Sequence, residues 1–237
     1  MCTLSLLPLN LTENSFVLTS NRDEAPGRKT RPPAVEIYKE VPLLFPKDME
    51  AGGTWIGISQ RKRAISLMNG AFKPHKRKSN YRLSRGVVVK DLLASADVFK
   101  TLESYDFNGI EAFTLVMVNW DTNLGFTEVV WDEERLHLKE LQLQEHIWSS
   151  SPLYDEKMKQ KREAWFSEFR RKNKITPEAM LGFHHSAGIG DKSLDLIMDR
   201  GFVKTKSISQ IIVAGGQAKF WYKDLESEKV YEENFEF

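Results

Sequence analysis

Met1-Cys2-Thr3-Leu4-Ser5-Leu6-Leu7-Pro8-Leu9, then Ser15-Phe16-Val17-Leu18-Thr19-Ser20 running into Asn21-Arg22-Asp23-Glu24, is the stretch on which the fold turns. Residues 2–9 and 15–20 read as two strands, with residues 10–14 as the polar turn between them. Residues 21–33, rich in charge, Gly and Pro, read as a loop. A hairpin of this kind brings Cys2 to the same end of the sheet as residues 21–23. Cys2 is the single cysteine of the chain. Removal of Met1 leaves its thiol and a free α-amine on one residue, a nucleophile and a base together. The competing reading is a small buried hydrophobe in a first strand.

Outward from this hairpin, residues 35–38 and 43–45 read as short strands, and 54–59 with 63–68 as a hairpin. Residues 85–95 and 96–105 read as helices, the first with an apolar face of Val87, Val88, Val89, Leu92 and Leu93. Strands return at 113–119, 125–131, 136–141 and 146–149. A long charged helix over 155–172 carries Met158, Trp165, Phe166 and Phe169 as its apolar face. Thr176-Pro177-Glu178 starts another helix, with an N-cap followed by Pro in the first turn. The chain ends on strands at 207–213, 218–222 and 229–234. The order lacks a β-α-β rhythm, which disfavours a parallel sheet. Two antiparallel sheets with helices outside them fit better, as one domain over 1–237.

Composition narrows the function classes. With 237 residues, 41% hydrophobic and 28% charged, the chain suits a globular domain. A net charge of +1 supplies no global field for nucleic acid or anionic membrane. One cysteine excludes an intrachain disulfide framework and a Cys-rich zinc site. No apolar run reaches the roughly 18 residues of a membrane span, and residues 1–9 lack the basic flank of a signal peptide. A cytoplasmic location is the expectation.

Several motifs then fall in order: Met1-Cys2, Asn21-Arg22-Asp23-Glu24, Asp48-Met49-Glu50-Ala51-Gly52-Gly53-Thr54-Trp55, Leu67-Met68-Asn69 and Leu83-Ser84-Arg85-Gly86. Together they resemble the NRDE family, also called the transport and Golgi organisation family; Thr205-Lys206-Ser207-Ile208-Ser209 is a looser echo. The resemblance implies an α+β fold, a four-layer αββα sandwich of the N-terminal nucleophile (Ntn) hydrolase type. It also implies a distant likeness to cysteine amidases such as penicillin V acylase and bile salt hydrolase. In that group an N-terminal Cys attacks an acyl carbon, an Asp orients the α-amine and Asn stabilises the oxyanion. The matching positions are Cys2, Asp23 and Asn69, with Arg22, Asn21, Trp55 and Ser150 as substrate-binding candidates. Ser150, within Trp148-Ser149-Ser150-Ser151-Pro152, stands where the family usually has Ser-Asn.

The chemistry agrees with these roles. Arg22 near the thiol raises the thiolate fraction, and an Asn69 amide can donate to an oxyanion. The structural alternatives are an Arg22 ion pair within a turn at 23–24, an ordinary Asn69-Gly70 turn, and a tight turn at Gly52-Gly53. A basic segment over 72–82 (Lys73, His75, Lys76, Arg77, Lys78, Arg82) reads as an anion site or a solvated loop. The resemblance carries a second idea, the handling of haem or of acyl-CoA and lipid. His184, His185 and Cys2 are iron ligands by type, and a core or surface histidine pair is the alternative. Two readings therefore stand: a cysteine hydrolase of a non-peptide amide or thioester with no cofactor and no metal, or a non-catalytic binder of haem or a lipid-like ligand.

Overall fold

The computed structural model describes residues 2–237, apart from the side chain of Cys2. Two antiparallel sheets stack face to face. One has the order β10-β1-β2-β11-β12-β13, built from β1 (Cys2–Asn10), β2 (Ser15–Glu24), β10 (His146–Ser149), β11 (Lys204–Ala214), β12 (Gln217–Asp224) and β13 (Val230–Glu236). The other runs β3-β4-β5-β6-β7-β8-β9: β3 (Thr30–Tyr38), β4 (Val41–Asp48), β5 (Ile56–Ser59), β6 (Arg63–Asn69), β7 (Phe113–Asn119), β8 (Gly125–Trp131) and β9 (Leu136–Leu141). Among the described residues α1 (Arg85–Ala94) and α2 (Val98–Ser104) lie on the second sheet's side, and α3 (Glu156–Lys172) and α4 (Pro177–Ser186) cover the first. The layering is α-β-β-α.

Strand alternation explains the layers. Leu4, Leu6, Phe16 and Leu18 point between the sheets and join Phe45, Ile56, Ile65, Val116 and Phe220 in the main core. The alternate residues Leu7 and Val17 point outward to Phe166 of α3 and to Met180 and Phe183 of α4. Both faces of the β1–β2 hairpin are therefore buried, which is why its apolar run is nearly continuous.

Three sequence expectations change. β2 continues through Asn21-Arg22-Asp23-Glu24 rather than ending in a loop, pairing with β1 on one side and β11 on the other. β3 starts at Thr30 and includes Pro32 and Pro33, which an edge strand with a register irregularity between Arg31 and Ala34 accommodates. The face of α3 is centred on Arg162 and Phe166, with Trp165 and Phe169 half-buried.

Candidate functional site

The extension of β2 splits the Asn21–Glu24 tetrapeptide between two environments, because neighbouring strand residues face opposite ways. Asn21 and Asp23 point to the helical layer. Asn21 donates its amide to the carbonyls of His184 (3.0 Å) and Leu196 (2.8 Å), which ties α4 and the 187–203 segment to the sheet. Asp23 is fully buried; Tyr154 donates its hydroxyl to one carboxylate oxygen and Thr205 to the other, each at 2.7 Å. Burial pushes the Asp23 carboxyl up, against these hydrogen bonds.

Arg22 and Glu24 point the other way, to the wall of a cavity of about 480 Å³. Arg22 donates to Asp48 (2.5 Å) and Thr30 (2.9 Å) and stacks over Trp55 at 4.3 Å. Asp48 is saturated: one oxygen takes Arg22 and Arg28 (2.7 Å), the other takes the backbone N–H groups of Glu50 and Ala51. Burial works against the ionised form, but the Ala51 N–H and the two guanidiniums hold Asp48 below the usual carboxylate range. Asn69, at the end of β6, lines the same cavity, as do His75, Arg77, Tyr81, Arg85 and Glu111. Arg85 pairs with Glu111 at 3.1 Å; His75 also meets Glu111, and Tyr81 and Lys78 bind Glu133, so carboxylates tether the basic 72–82 segment beside the cavity. Trp55 lines the cavity, and its buried indole N–H has no hydrogen-bond partner among the described residues.

Gly53 and Gly86 shape the back wall. A Cβ on Gly53 would sit 2.4 Å from the Gly86 carbonyl carbon, and Thr54 N donates to Gly86 O at 3.1 Å. The N-terminus of α1 can approach the 53–54 backbone only because both residues lack a side chain.

Of the residues anticipated from sequence, Arg22, Trp55 and Asn69 line one cavity. Asn21 and Asp23 occupy the opposite face of β2. Ser150 lines a smaller cavity of about 200 Å³ with Met68, Thr114 and Trp148; its buried hydroxyl has no hydrogen-bond partner among the described residues. The backbone of Cys2 pairs opposite Arg22, and the expected reach of its Sγ to Asp23 and Asn69 falls on a side chain outside those described.

His184 is a core histidine. Its Nε2 meets the Ser5 hydroxyl and its Nδ1 the Asn21 side-chain oxygen, both at 2.8 Å, so neither ring nitrogen is left for iron. Burial, with Arg162 nearby, pulls its pKa down to about 3. His185 is exposed. The sequence motif contains Asp48 without marking its role, and Glu111, Tyr154 and Arg162 stand outside the motifs. Arg162 had a signal: it lies four residues from both Met158 and Phe166, on the stripe that faces the sheet.

The arrangement of sheets and helices is that of the Ntn hydrolases. Similar solved structures include a variant of conjugated bile acid hydrolase from Clostridium perfringens, at 10% identity, covering 100% of this chain and 97% of that one, with a TM-score of 0.54. Penicillin V acylase from Agrobacterium tumefaciens matches at 10% identity over 98% of this chain and 85% of that one, TM-score 0.55. The Caenorhabditis elegans ortholog of N-acylethanolamine-hydrolyzing acid amidase matches at 8% identity over 89% and 92%, TM-score 0.59. At these identities the likeness is one of fold. The chain belongs to the Transport and Golgi organisation 2 family, whose model matches residues 1–214. A search of curated protein sequences gives no match. No helix among the described residues is long and apolar enough to cross a membrane.

Proposed function

We propose that this protein is an N-terminal-cysteine hydrolase that cleaves a non-peptide amide or a thioester of a small or lipid-like acyl substrate. The observation that carries this reading is the cavity at the end of the β1–β2 hairpin. It gathers Arg22, Trp55 and Asn69 at the strand end where Cys2 pairs with Arg22. In the reaction, Cys2 of the Met-processed chain attacks the acyl carbon and its α-amine takes the thiol proton. The oxyanion is stabilised by the Asn69 amide. The C–N or C–S bond breaks as that proton passes to the leaving group, which leaves an acyl thioester on Cys2. Water then releases the acid and restores the thiol. Asp23 orients the α-amine, and Arg22 and Trp55 hold the substrate beside it.

The reading is supported by the shared fold of the acylases and amidases above, each of which acts on its own named substrate. A panel of acyl amides and acyl thioesters offered to Met-processed protein tests it. Wild type turns over at least one class, Cys2→Ser loses most of that rate and Cys2→Ala all of it, with the fold intact. Saturable ligand binding with no turnover on any member, Cys2 being the verified N-terminus, refutes it and leaves a binding protein for a lipid-like ligand or haem.

A further inference from the structure

The helical side of β2 carries a polar cluster that the cavity does not explain. Tyr154 and Thr205, 1% and 5% exposed, each hold one oxygen of the Asp23 carboxylate. Thr205 is itself fixed by the Met198 backbone N–H at 2.9 Å. The Tyr154 ring lies under the Arg162 guanidinium, 3.6 Å from Cζ to the ring centroid. Arg162 is fully buried and donates to the carbonyls of Leu194 and Asp195 and to the Thr3 hydroxyl. It makes no ion pair with a carboxylate among the described residues, which is costly for a buried cation and calls for a purpose. Its field acts on Asp23 from across the tyrosine ring, and its grip on Thr3 falls on the residue next to Cys2. One buried cation thus braces both the strand that carries the proposed nucleophile and the tyrosine that holds the carboxylate. The strand register completes the arrangement: Cys2 pairs with Arg22, so the α-nitrogen of Cys2 comes next to Asp23.

We propose that Tyr154, Thr205 and Arg162 are positioning residues, which fix the Asp23 carboxylate against the α-amine of Cys2. The inference rests on the hydrolase reading above. The Tyr154 and Thr205 hydroxyls bind Asp23, the Arg162 guanidinium acts on it, and the strand register sets the Cys2 nitrogen beside it. Removing one hydroxyl frees the carboxylate to turn away from the α-ammonium. The α-ammonium then loses the counter-charge held beside it and gives up its proton at lower pH.

The test is the pH titration of the Cys2 α-amine in Met-processed protein, followed by amine labelling and read at the N-terminal peptide. In Tyr154→Phe, which keeps the ring under Arg162, the midpoint falls by about one pH unit, the scale of one hydrogen bond to a charged group. Thr205→Val repeats the shift and Thr205→Ser restores the wild-type midpoint, so the threonine pair carries the test if the tyrosine variant does not fold. On any substrate turned over, kcat falls in Tyr154→Phe and KM holds. A loss of thermal stability with an unmoved midpoint overturns the proposal, since a structural role alone lowers only stability. A shifted midpoint without turnover supports the positioning and overturns the hydrolase reading alone. Turnover with an unshifted midpoint overturns the positioning alone.

Discussion

Replacing Asp48 by alanine isolates the charge balance at the cavity wall. Arg22 is 3% exposed and Asp48 9%, and their contact is 2.5 Å. Deleting one partner of a buried pair costs about 3–5 kcal/mol, because the other charge is left uncompensated. Arg22 retains Thr30, the face of Trp55 and Glu24 at 3.9 Å, which places the effect at the lower end of that range. Asp48 also caps the Glu50 and Ala51 N–H groups, adding about 1 kcal/mol. The total is about 4 kcal/mol, or a fall in melting temperature of about 8–16 °C for a chain of this size. Urea unfolding checks it: the midpoint drops and the slope is unchanged. The pH dependence has a definite sign. Asp48 has a folded pKa below its ordinary 3.8, so the pair's stability is present above that value and is lost as pH falls through the folded pKa. The gap between wild type and variant therefore closes in strong acid. A loss below about 1 kcal/mol, the range of exposed ion pairs, would refute the argument that Arg22 is held as a buried charge.

Two further outcomes follow from the same physics. His184 titrates at 6.5 when unfolded and near 3 when folded, so the unfolded state binds the extra proton between those values. Wild type should lose about 1.4 kcal/mol more per pH unit than His184→Gln as pH falls from about 6 to 4, measured by urea unfolding at each pH; parallel curves contradict the buried neutral imidazole. Gly53→Ala drives a Cβ to 2.4 Å from the Gly86 backbone, so α1 must shift, with a loss of about 1–3 kcal/mol in thermal unfolding. A neutral result means α1 does not rest on residues 53–54.

The hairpin, the four strands from 113 to 149 and the long third helix were legible because their apolar residues keep a regular period. Asn21-Arg22-Asp23-Glu24 read as a loop because four polar residues in a row carry no hydrophobic alternation. Their partners are supplied from far along the chain, by His184, Asp48, Thr205 and Tyr154. Arg22, Trp55 and Asn69 were found through motifs and do share a cavity. The carboxylates that balance the cavity's arginines, Asp48 and Glu111, were given no role, since nothing local marks which acid meets which base. The 187–203 segment has no regular period, yet its carbonyls at Leu194 and Asp195 hold Arg162.

The most direct test of the central claim is the intact mass of Met-processed protein, quenched in acid during turnover of an acyl amide or thioester. The account predicts a mass increase equal to the acyl group, mapped to the N-terminal peptide at Cys2 and absent in Cys2→Ala. Product release with no acyl adduct at any quench time, and equal rates in Cys2→Ala, would contradict it.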